Sequence, residues 1–149
     1  MREVLLILHI VAAAAWLGAN GAQFLIVPRM MRSGNQAAEA WMTTFVRLGR
    51  VYYTPAAIVV LATGVGLVLD SSLYDFENMF VVVGVLMVVV GGALFGAVYA
   101  PQGRLAADAY RSGDTSAGQA QTARIIRIGT METVLLVLTV AAMVYRWGV

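Results

Sequence analysis

Residues 6–23, Leu6-Ile-Leu-His9-Ile-Val-Ala-Ala-Ala-Ala-Trp16-Leu-Gly-Ala-Asn20-Gly-Ala-Gln23, decide the reading of this chain. The stretch is apolar and long enough to cross a bilayer. It nevertheless holds the chain's only histidine together with a tryptophan, an asparagine and a glutamine. At about 100° per residue, these four fall within an arc of roughly 80° on one side of a helix. Polar groups in hydrocarbon are costly unless they face protein, water or a ligand. This stripe is therefore expected to look inward, with the remaining helices packed around it.

Composition sets the same frame. Of 149 residues, 60% are hydrophobic and 12% charged, the profile of a polytopic membrane protein folded as one domain over residues 1–149. Cysteine is absent, which excludes disulfides, thiolate metal sites and cysteine nucleophiles. Lysine is absent too, which excludes Schiff-base chemistry. The isoelectric point of about 9.3 does not indicate nucleic acid, because the net charge is only +2 and the arginines lie in loops.

Working outward, four spans are expected, at about 4–27, 51–69, 79–99 and 128–147. The uncharged run Val4 to Pro28 exceeds the core of a secretory signal and reads as the first span. Ser33-Gly34-Asn35 signals a turn, and Gln36 to Leu48 is an amphipathic helix that lies at the membrane surface or extends a span beyond it. Tyr52 and Tyr53 sit where an interfacial aromatic belt is expected. Gly84, Gly91, Gly92 and Gly96 give the third span a small-residue seam for close helix approach. Residues 101–127 form a second long polar loop, helical over Leu105 to Tyr110 and broken at Ser112-Gly113-Asp114-Thr115, where Asp114 or Thr115 caps the next helix. The fourth span crosses only if Glu132 enters the membrane.

The two long loops carry Arg29, Arg32, Arg47, Arg50, Arg104, Arg111, Arg124 and Arg127, whereas the opposite side carries Arg2 and Arg146 with Asp70, Asp75 and Glu77. The positive-inside rule places the loops in the cytoplasm and both termini outside. Arg32-Ser-Gly-Asn35 resembles Arg111-Ser-Gly-Asp114, and Val46-Arg-Leu-Gly49 resembles Ile126-Arg-Ile-Gly129. The expected fold is an all-α four-helix bundle of two parallel-related hairpins with cytoplasmic helical elbows.

Several further features form a pattern: His9, Trp16-Leu-Gly18 and Pro28-Arg-Met30; Arg47-Leu-Gly-Arg50, Pro55-Ala56 and Thr63-Gly-Val-Gly-Leu67; then Arg127, Glu132 and an aliphatic run ending at Arg146. This pattern resembles the CopD-like superfamily of small bacterial membrane proteins, which includes copper-resistance membrane domains and the HemJ type of protoporphyrinogen oxidase. The resemblance implies a multi-pass protein of the bacterial inner membrane that binds haem b, with His9 at the position of the implicated axial histidine. The chain departs from the HemJ type in having no further histidine and no lysine, and in reducing an Asn-Glu-x-Pro motif to Met131-Glu132.

His9 lies about six residues, roughly 9 Å, inside the outer charges. Its candidate roles are haem or metal ligation, proton handling, or helix packing through a hydrogen bond. A six-coordinate haem needs a second ligand, with Met143 at similar depth, the deeper Met87, or a second His9 across a homodimer as candidates. His9, Trp16 and Met143 are thus the candidate cofactor-binding residues. Asn20, Gln23, Arg50 and Glu132 are expected to form a polar network in which Glu132 meets Gln23, Arg50 or both. Two functions follow: a haem-b or redox-associated membrane protein built on the first span's polar face, or a non-catalytic accessory or scaffold subunit of a larger membrane complex. The expected partners are the bilayer and either further copies or other membrane subunits.

Overall fold

The computed structural model describes residues 1–148, and these are helical with no strand among them. The helices are α1 (Arg2–Arg32), α2 (Asn35–Leu48), α3 (Thr54–Leu69), α4 (Met79–Leu94), α5 (Ala100–Arg111) and α6 (Thr115–Tyr145). α2 runs into α3 through a π-helical turn at Gly49–Tyr53, and α4 runs into α5 through a second one at Phe95–Tyr99. The result is four rods of 31, 35, 33 and 31 residues, each long and apolar enough to cross a membrane.

At 1.5 Å per residue these rods measure roughly 46–53 Å, well beyond a hydrocarbon core of about 30 Å. The surplus lies at one end, where the sequence reading placed polar loops. Residues 101–127 are not a loop: only 112–114 interrupt them, and both elbows continue the rods. They form a helical head in which α5 packs against α2 and α6. Polarity misled the assignment because α2 and α5 are amphipathic, with apolar faces turned toward each other. Ala38, Met42, Phe45, Ala106, Ala107 and Tyr110 are buried there.

Glycine permits the closest approaches. A Cβ on Gly103 would lie 2.7 Å from Val46 Cγ2, and one on Gly118 would lie 2.6–2.7 Å from the Tyr110 ring. The Tyr110 hydroxyl donates to Met31 Sδ at 3.0 Å and lies 3.2 Å from the Thr122 hydroxyl, linking α5 to α1 and α6.

Gly34 (φ 101°) and Gly113 (φ 85°) both adopt the left-handed backbone that turns each hairpin. The two turns touch: the Thr115 hydroxyl donates to Asn35 Oδ1 at 3.0 Å, and Arg111 pairs with Glu39 at 2.9 Å. The resemblance of the two turn sequences is therefore structural. It does not extend to the hairpins, because the π-helical turn lies in the second rod of one and the first rod of the other. At the opposite end Arg2 and Arg146 flank the Tyr74 ring, 5.9 and 5.6 Å from its centroid.

Asp114 is the cap, as its spacing predicts: its carboxylate accepts from the Ala117 amide at 3.0 Å and the Ser116 hydroxyl at 2.8 Å. These bonds, the amide first, hold its carboxyl below the usual carboxylate range. Such a group stabilises the fold above its unfolded pKa, about 3.9, and the contribution is lost as pH falls through the folded value. Asp114→Ala is thus expected to lower the unfolding temperature at neutral pH, with the gap to wild type closing below about pH 3. A gap independent of pH would show that ionisation plays no part in the cap.

Candidate functional site at the two π-helical turns

Both wide turns have the same local cause. Pro55 and Pro101 have no N–H to give the carbonyl four residues back, and their rings crowd that carbonyl. The backbone responds with bonds five residues apart, Thr54 N–H to Gly49 O and Ala100 N–H to Phe95 O. The Thr54 hydroxyl adds a second bond to Gly49 O at 2.9 Å. Each turn ends in a tyrosine two residues before the proline, Tyr53-Thr-Pro55 and Tyr99-Ala-Pro101. The register shift aims both rings at the interior.

Each tyrosine meets a polar side chain from an unbroken rod. Tyr99 is 8% exposed and donates to Glu132 Oε2 at 2.5 Å. Gln23 Nε2 donates to the Tyr53 hydroxyl at 2.7 Å. Trp16 is 4% exposed and stands edge-on to Tyr53, with ring centroids 6.5 Å apart. Asn20 Nδ2 donates to the Thr133 hydroxyl at 3.1 Å, joining α1 to α6. Gly91 of α4 makes room for both neighbours: a Cβ there would lie 3.0 Å from Trp16 Cζ2 and 3.3 Å from Glu132 Oε1.

These groups surround a cavity of about 890 Å3, counted to its open mouth. Its walls include the first and last residues of both wide turns, the α1 stripe Trp16-Asn20-Gln23, and Gly129, Glu132 and Thr133 of α6. Trp41, Met42 and Phe45 of α2 line the side toward the head. Trp41 Nε1 is buried there with no hydrogen-bond partner among the described residues. π-helical turns recur at functional sites.

The expected stripe does face inward, but the candidate residues divide. Trp16, Asn20, Gln23 and Glu132 line the cavity. Arg50 does not: it is exposed, and Glu132 meets Tyr99 instead of Gln23 or Arg50. The wide turn presents Tyr53 to the cavity and leaves Arg50 exposed.

His9 lies outside the cavity, against α3. Its Nδ1 is 3.0 Å from Val60 O and 3.1 Å from the Thr63 hydroxyl. A carbonyl only accepts, so Nδ1 carries the proton, and Nε2 has no partner among the described residues. Met143 is elsewhere, its methyl seated over Gly84 of α4 so closely that a Cβ there would overlap it. Met87 is buried with Trp16 and Leu136. No cluster of three His, Asp or Glu side chains occurs among the described residues. His9 thus packs against α3 and Met143 against α4.

Tyr53 and Tyr99 are the site residues that the sequence reading missed. Tyr53 had been assigned with Tyr52 to an interfacial belt; Tyr52 is exposed and donates to Ala15 O at 3.0 Å. The available signal was the repeated Tyr-x-Pro. No family model, curated protein or solved structure matches the chain.

Proposed function

We propose that this chain is a multi-pass membrane protein that binds a small lipophilic molecule in the cavity between its two π-helical turns. The observation that carries the reading is the cavity itself, apolar in most of its lining yet reached by Gln23, Tyr53, Tyr99 and Glu132. The bilayer supports it as solvent: all four rods expose apolar side chains such as Ile7, Ile58, Leu86 and Leu138. Eight of the ten arginines lie toward the hairpin turns. By the positive-inside rule the helical head lies in the cytoplasm and the termini outside, with the bacterial inner membrane as the setting that the CopD-like resemblance implies.

The test uses protein purified in detergent and 1-bromonaphthalene, a neutral apolar quencher. Trp16 and Trp41 line the cavity, and Trp147 lies at the far end of the chain. Saturable quenching is expected. A Cβ on Gly129 meets only the Tyr99 hydroxyl, at 3.8 Å, so a larger side chain there enters the cavity. Gly129→Leu is expected to weaken binding by about tenfold or more. Unsaturable quenching, or equal quenching in Gly129→Leu, would overturn the reading.

A second reading has its own observation. The bond from His9 Nδ1 to Val60 O leaves Nε2 free, the orientation that a ligating imidazole takes. A Soret band in the purified protein, lost in His9→Ala, would favour haem held at α1 with its other ligand from a second copy. A colourless protein that binds no quencher and copurifies with larger subunits would favour the accessory role.

A further inference from the structure

We propose that the ligand is a lipophilic organic cation and that it exchanges with a proton at Glu132. This rests on the cavity reading and adds the ligand's charge. Seven aromatic residues line the space, with Glu132 the only lining residue of Asp, Glu, Lys, Arg or His type. Tyr99 occupies Oε2, while Oε1 has no hydrogen bond from any described residue. The ion pairs found among the described residues are those of Arg111 with Glu39 and Asp108, in the head. A buried carboxylate is stable only with a counter-charge or a proton. Here no Lys, Arg or His lines the cavity to supply a counter-charge, and its lining is rich in aromatic rings, a residue type that attracts cations.

The titratable groups that face Glu132 across the cavity are Tyr99 from the second wide turn and Tyr53 from the first. α1 and α4 contribute Trp16, Asn20 and Gly91, none of which ionises. Arg127, on Glu132's own helix, is exposed. The exchange balances: the carboxyl releases one proton to water as one monovalent cation enters, so the cavity's net charge stays zero. Cation and proton compete for the same oxygen atoms, and binding strengthens as the proton becomes scarcer.

The experiment displaces bound 1-bromonaphthalene from the detergent-purified full chain with benzyltrimethylammonium or its neutral carbon isostere, neopentylbenzene. The cation is expected to displace the quencher at a concentration about tenfold below that of the isostere, and its potency should rise from about pH 5 to about pH 8. The isostere should show no pH dependence. Glu132→Gln should abolish both the advantage and the pH dependence. If that variant does not fold, the wild-type pH series decides alone. Equal potency of the two compounds, or a cation whose potency ignores pH, overturns the cation inference and leaves the cavity reading standing. Failure of 1-bromonaphthalene to bind overturns both.

Discussion

Alanine at position 49 is expected to destabilise the protein by about 2–3 kcal/mol. A Cβ on Gly49 would fall within the ring of Phe95. These residues open the two π-helical turns, so the second and third rods touch at that point. Gly49 has an ordinary helical backbone (φ −54°, ψ −42°), and its requirement is space alone. Relieving the clash means moving the Phe95 ring, which lines the cavity. The measurement is thermal or denaturant unfolding in a fixed detergent, comparing Gly49→Ala, Phe95→Ala and the double variant. The double variant should lose less than the sum of the two singles, because truncating Phe95 vacates the space the new methyl needs. Additive losses would mean that the two residues do not share that space.

Tyr99→Phe carries the second large effect, a loss of about 2–4 kcal/mol. The change removes a single oxygen, but it is the one that donates to Glu132 at 2.5 Å. The carboxyl group then stays buried, 7% exposed, without that donor. Stranding one member of a buried hydrogen bond costs more than deleting both. Pairing Tyr99→Phe with Glu132→Leu should therefore recover much of the loss, which a double-mutant cycle on unfolding free energies would read directly. A loss below about 1 kcal/mol in Tyr99→Phe would mean that Glu132 draws its support from elsewhere.

The four rods were legible because hydropathy reports residues that bury nothing against protein, and the apolar exterior of these helices is of that kind. The inward aim of Trp16, Asn20 and Gln23 was legible because α1 holds one helical period from Arg2 to Arg32. The Asp114 cap was legible because a cap is a contact across three residues. The head was not, since α2 and α5 become apolar only toward each other, a long-range pairing that a polar local average conceals. The tyrosine pair was lost for a different reason: a wide turn adds a residue to the helical repeat, and every angle computed past it is wrong. Tyr53, read with Tyr52 as an interfacial residue, lines the cavity, and Arg50, expected beside Glu132, is exposed.

The helical head also decides how the rest of the molecule can move. The two hairpins join most extensively there, where α2 lies along α5, and thinly elsewhere, through α1 with α6 and α3 with α4. The hairpins are also tied at the far end by the short connection between Leu69 and Met79, so the side free to part is the seam of α1 with α6. Parting α1 from α6 breaks few bonds, chiefly that from Asn20 to Thr133. A guest molecule can then slip between them sideways while the head keeps its grip.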